Sequence, residues 1–137
     1  TSIPLASKSV VINTRVLPFL NFFIISSRSV WSISPWILET GNPLFEFYAA
    51  VTRQNHRLLP AGGFQPQEKI HSKDALNMFT KWGAYGSFNE NKQGQITKGY
   101  NGDLTVISDD ILSIQSKNIL EVEILYTIVN SKIVYQK

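Results

Sequence analysis

Two histidines, ten carboxylates and no cysteine are all that this 137-residue chain offers for a metal or acid–base centre. His56 and His71 stand fifteen positions apart. Metal-binding histidines on one helix sit at i and i+4, and ligands of a barrel sit at strand ends beside carboxylates; neither spacing occurs here. His56 lies in the polar run RQNHR and His71 directly before a helix start, so both read as surface or capping residues. Among the carboxylates (Glu39, Glu46, Glu68, Asp74, Glu90, Asp103, Asp109, Asp110, Glu121 and Glu123), Asp109 and Asp110 are the one adjacent pair. Neighbours in a turn point in different directions, so this pair reads as turn chemistry, whereas acid–base catalysis needs facing groups. Without cysteine there is neither a disulfide framework nor a thiolate metal site. No nucleophile elbow, phosphate-binding loop, dinucleotide fingerprint or H-E-x-x-H pair occurs.

The elements available to position such residues are those of one domain, or of pieces of two. Hydrophobic residues make up 43% and charged residues 17%, a globular composition. The net charge is +3, but the thirteen Lys and Arg are spread along the chain, which reads as a solvated surface and does not point to nucleic acid as a partner. The eight Phe, five Tyr and three Trp lack an interleaved basic pattern and read as core packing instead of base stacking. Residues 16–25 (VLPFLNFFII) form the most apolar run, far short of the about 20 residues a spanning helix needs. Lys8 and Arg15 precede this run, as in a signal peptide, yet Arg28 follows soon after and no small-residue cleavage site is legible. It reads as a buried strand or irregular apolar segment, with no membrane partner; the cellular address is not legible, the cytoplasm being favoured.

Three textures follow one another. Residues 1–38 are apolar and Ser-rich without a clean period. From Asn42 a helix over 43–53 is expected, with Asn42 as cap, Pro43 in the first position and apolar residues around most of its circumference. A Gly- and Pro-rich loop leads to a second helix over 73–86. Ser72 is its expected cap, Asp74 complements its dipole and Gly86 is its expected left-handed end. Ala75, Leu76, Phe79, Trp82 and Gly83 recur on one face of that helix. After Phe88 the texture is β: LTVI at 104–107 reads as a buried strand, and Asn130-Ser131 as a two-residue hairpin turn before KIVYQ. The fold class is therefore α+β.

Taken together, NPLFEFYAAVTRQ, KIHSKDALNMFTKWGAYGSF, GQITKGYNGDLTVISDD and ILYTIVNSKIVY resemble, in order and spacing, the C-terminal part of the metal-dependent amidohydrolases of the amidohydrolase-3 type. The resemblance covers about residues 34–137. It implies a (β/α)8 barrel, a TIM barrel, carrying a small composite β-sandwich built from both chain ends. Residues 39–88 would then close the barrel, with its last helices near 43–53 and 73–86, and residues 89–137 would supply sandwich strands. The implied chemistry is hydrolysis of non-peptide C–N bonds in a small molecule by water activated on zinc or another divalent metal. A complete barrel takes about 250 residues, more than this chain has, so the chain reads as a fragment inactive alone and holding no metal ligand.

The one inherited ligand that could fall here is the final Asp of the family's Ser-Asp-aromatic-Pro stretch. Aligned back from Asn42, SPWILETGNP places Ser34, Pro35 and Trp36 there, and Pro35, which has no donor atom, takes the place of the Asp. Upstream of residue 34 the resemblance stops, and residues 1–38 read as sequence foreign to the family. The resemblance also makes Arg53, in AVTRQ, a candidate substrate-binding residue at the mouth of the site; the alternative is a surface arginine favoured by the end of the helix dipole. Self-association through exposed apolar faces is the expected behaviour of such a fragment. The competing reading is a self-standing, non-catalytic α+β binding or assembly module.

Overall fold

The computed structural model describes residues 10–13 and 42–137. Pro35, with Ser34, Trp36 and Glu39, lies outside the described residues, as does the 16–25 run.

Helix α1 (Pro43–Thr52) begins where the local chemistry requires. Asn42 is extended, its side-chain oxygen accepts from the Leu44 N–H at 3.0 Å, and Pro43 fills the first helical position, where no N–H is needed. The helix ends at Arg53, which takes the left-handed conformation (φ 60°) and returns its N–H to the Ala49 carbonyl at 2.8 Å. Phe47, Tyr48, Ala49, Val51 and Thr52 are buried, as the nearly all-round apolar pattern requires.

The second expected helix is two. Helix α2 (Ser72–Phe79) and helix α3 (Lys81–Gly86) are separated at Thr80 (φ −129°, ψ −93°). The Thr80 hydroxyl donates to the Leu76 carbonyl at 2.7 Å, a local bond that competes with the helical ladder. Gly94 explains the position of the break. A Cβ at that glycine would stand 2.9 Å from the Thr80 carbonyl oxygen and from the Ala84 Cβ, so the following loop can seat against the joint only because residue 94 has no side chain.

The expected boundaries also shift. The capping position belongs to His71, which makes no side-chain cap bond, and Ser72 is already helical. Gly86 is the last residue of α3; the left-handed residue is Phe88 (φ 58°). Ala75 is fully buried and Gly83 is buried, with Leu76 and Phe79 packed on the core, but Trp82 is 43% exposed. A helical stripe keeps its phase only while the helix is continuous, and the break at Thr80 turns Trp82 away.

Among the described residues, four antiparallel strands form one sheet in the order β1 (Val10–Asn13), β2 (Leu104–Ile107), β3 (Ile124–Val129), β4 (Lys132–Gln136). β2 is the expected LTVI. β1 comes from the segment that the sequence left unreadable and pairs Ile12 with Thr105. The β3–β4 hairpin turns on Asn130 and Ser131, both left-handed (φ 51° and 61°), the geometry that matches strand twist. Asp103, 2% exposed, accepts from the Asn130 N–H at 2.7 Å, and the Gly102 carbonyl accepts from the Ser131 N–H at 3.2 Å. The head of β2 thereby fixes the hairpin tip.

One core joins helices and sheet: Phe47, Tyr48 and Val51 from α1, Ala75 from α2, Ile107 from β2, and Ile111, Ile119 and Val122 from the connection to β3. Each large side chain so buried contributes about 1.5–3 kcal/mol of transfer free energy. The fold is α+β, a four-stranded antiparallel sheet with a few helices beside it.

Candidate functional site

Among the described residues, chemistry left unspent stands at the two ends of α1, at Glu46 and Arg53, and beside α3, where the Glu90 Oε2 is enclosed without a hydrogen-bond partner. Arg53 is 4% exposed, so it is buried and the alternative of a surface arginine does not hold. The reason is the loop after it. Residues 54–64 leave α1 and come back, so that the Phe64 N–H donates to the Arg53 carbonyl at 2.8 Å while the Arg53 Nε–H donates to the Phe64 carbonyl at 3.0 Å. Gly63 permits the return: a Cβ there would lie 2.5 Å from the Thr52 carbonyl oxygen.

Polar side chains fill the inside of this loop. The Gln54 amide donates to the carbonyls of Leu58 (2.8 Å) and Pro60 (3.0 Å), and its oxygen accepts from the Tyr48 hydroxyl at 2.9 Å. The Asn55 oxygen accepts from the N–H groups of Arg57 and Leu59. With these groups satisfied, the Arg53 Nη2 stands out: it is enclosed and has no hydrogen-bond partner. Leaving such a donor unpaired costs about 1–3 kcal/mol, and more when it is charged.

At the other end of α1, Glu46 is half-buried, and that burial pushes its carboxyl above the ordinary carboxylate range. Glu46 and Arg53 are seven residues apart, two helical turns, which sets them on one side of α1. The neighbouring Phe45 ring stacks on His56, centroids 5.3 Å apart.

The remaining candidates stand apart. His56 and His71 are both exposed. The Asp109 Oδ2 accepts from the Ser108 hydroxyl at 2.8 Å, and the Asp110 Oδ1 from the Leu112 N–H at 3.0 Å, so the adjacent pair serves a turn. Among the described residues, no group of three or more His, Cys, Asp or Glu side chains is placed to hold a metal ion. The described donor set therefore does not fit a catalytic metal, which needs about three converging protein ligands. A cavity of about 280 Å³ lies along α3, lined by Asn77, Lys81, Trp82, Tyr85, Glu90 and Gln residues, away from Arg53.

Glu46, Tyr48 and Gln54 were not legible as a site. The Tyr48–Gln54 bond depends on the loop returning after a left-handed residue, and no local pattern announces that return. A half-buried carboxylate in an otherwise apolar helix, Glu46 among LFEFYAAV, was the available signal.

Comparison with known proteins agrees with the motifs. The sequence model of the amidohydrolase family matches residues 36–135. The chain is 29% identical over 100 residues to the protein named "Putative amidohydrolase YtcJ" of Bacillus subtilis (strain 168), an alignment over 73% of this chain and 19% of that protein. The chain thus spans about a fifth of the length of the curated relative it matches. No solved structure matches it. With the family match covering the loop, both ends of α1 and the sheet from β2 to β4, the chain belongs to the amidohydrolase family.

Proposed function

We propose that this chain is the C-terminal part of a metal-dependent hydrolase that cleaves non-peptide C–N bonds of a small-molecule substrate. The observation that carries this reading is the family match over residues 36–135, joined to a span of only 19% of the matched relative. In it, residues 39–88 end a (β/α)8 barrel and residues 89–137 form strands of a small β-sandwich. The end of β2 supports that assignment because it is buried on both faces: Ile107 belongs to the core shared with the helices, while its neighbour Val106, on the opposite face, is 1% exposed.

Zinc or another divalent ion would be held by parts of the protein beyond these residues, with Pro35 at the one inherited ligand position. Arg53 would sit beside the substrate mouth, and the exposed Tyr85 and Phe88 would mediate self-association of the chain alone. The chain by itself is then inactive. Elemental analysis of the purified chain, with an amide-hydrolysis assay on the same sample, tests this: the expected result is substoichiometric zinc and no turnover. About one tightly bound ion per chain, or turnover that a chelator abolishes, overturns it.

One observation favours a second reading, a self-standing non-catalytic α+β module. The core runs without interruption from α1 and α2 into the sheet, across the boundary near residue 88. A sharp two-state melt of the monomer supports the module, and aggregation supports the fragment.

A further inference from the structure

The cavity along α3 joins a half-buried carboxylate that lacks a donor to two aromatic rings that the fold leaves uncovered. The Glu90 Oε2 is enclosed and accepts no hydrogen bond, which is destabilising until a donor reaches it. Lys81 lines the same cavity, yet among the described residues it forms no ion pair with Glu90. The side-chain amides of Asn77 and Gln93 border the cavity too and make no hydrogen bond among the described residues.

Trp82 and Tyr85 stand three positions apart on α3, so their rings share one side of the helix. Both are exposed, and the cavity they border holds about 280 Å³, near the lower end of small-molecule sites and suited to a single ring. The segment that carries Glu90 and Gln93 is fixed. The Tyr100 hydroxyl donates to the Glu90 carbonyl at 2.9 Å, the Gln93 N–H donates to the Asn89 carbonyl at 2.9 Å, and Gly94 seats against the joint at Thr80. At the rim, Lys81 and Tyr85 are exposed, and exposed rotamers turn within picoseconds to nanoseconds, so the Glu90 carboxylate becomes reachable with the backbone in place.

We propose that this cavity is a binding site for a neutral polyhydroxylated ring of the pyranoside class, whose hydroxyls donate to the Glu90 carboxylate and accept from Lys81 and the Gln93 amide while Trp82 and Tyr85 flank its C–H face. The lining charges select this class. A cation is drawn to Glu90 but repelled by Lys81, and an anion meets the reverse. A hydroxyl carries one donor and two acceptor sites, so neighbouring hydroxyls on one ring satisfy both residues at once. The hydroxyl-to-carboxylate bond is charge-assisted, and C–H groups suit the negative faces of the aromatic rings. Nothing in this site draws on Arg53, its loop or the hydrolase reading.

The test uses the 137-residue chain labelled with nitrogen-15. The probes are the methyl glycosides of β-glucose, β-galactose and α-mannose, with ethylammonium, acetate and cyclohexanol as the cationic, anionic and apolar comparisons. At least one glycoside is expected to shift the Trp82 indole N–H and the Gln93 side-chain amide saturably, with a Kd on the order of 1–10 mM that is the same at two chain concentrations. Glu90→Gln and Trp82→Leu are each expected to weaken that binding by about tenfold. Silence towards all three glycosides, an equal or larger response to any comparison probe, or a response that vanishes on dilution and so belongs to self-association each overturns the proposal, as does unchanged affinity in both variants. The probe comparison on the unaltered chain does not depend on how the variants fold. Neither metal nor turnover enters, so its outcome leaves the hydrolase reading untouched.

Discussion

Glu46 and Arg53 show how one short helix can hold two charged residues in opposite conditions. Arg53 is nearly enclosed and keeps one bond to a carbonyl, while Glu46 is half in solvent and has its carboxyl raised by desolvation. A carboxyl raised on folding binds its proton more tightly in the folded than in the unfolded chain. Its contribution therefore favours the fold at low pH, where both states are protonated alike in the limit, and is lost as pH rises from the unfolded value through the raised folded one. Glu46→Gln removes this loss. The expected outcome is a melting temperature above that of the unaltered chain at pH 7, with the difference shrinking as the pH is lowered through the carboxylate range; thermal melts across that range check it.

At the scale of elements, the joint between α2 and α3 is set by a residue from another part of the chain. Gly94 (φ +83°) fits against Thr80, Lys81 and Ala84 at distances that leave no room for a Cβ. Gly94→Ala is expected to destabilise the chain by more than about 1 kcal/mol, because the substitution meets both a forbidden backbone region and a steric clash. Denaturant unfolding measures it, and an unchanged midpoint would mean that the joint does not depend on that contact. The hairpin edge is managed differently. β4 is exposed along its whole length, but Lys132 opens it and the pairing with β3 skips a residue between Ile133 and Tyr135, features that discourage a further strand.

For the molecule as a whole, the main fact is that a closed core coexists with large uncovered aromatics. Tyr85 is 70% and Phe88 92% exposed, and Phe88 also holds a left-handed backbone that a bulky aromatic residue adopts only at a cost. Phe88→Asn keeps that conformation with a residue suited to it. It is expected to stabilise the isolated chain by about 1 kcal/mol and to reduce self-association, read by chemical unfolding and by size-exclusion with light scattering. A loss of stability would show that the Phe88 ring is covered in the assembled state.

The α1 start, the LTVI strand and the Asn130-Ser131 turn were decided by the sequence itself, because caps, β-branched runs and left-handed turn residues act within a few positions of one another. The ordered motifs likewise sufficed to place the chain in its family. Tertiary structure alone decided the rest: the break at Thr80 and the exposure of Trp82 through Gly94, the addition of β1 beside β2, the staple from Asp103 to the hairpin, and the enclosure of Arg53 by a returning loop. Each of these depends on a partner more than ten residues away, and the energy of such a contact exists only once the chain has brought the two segments together.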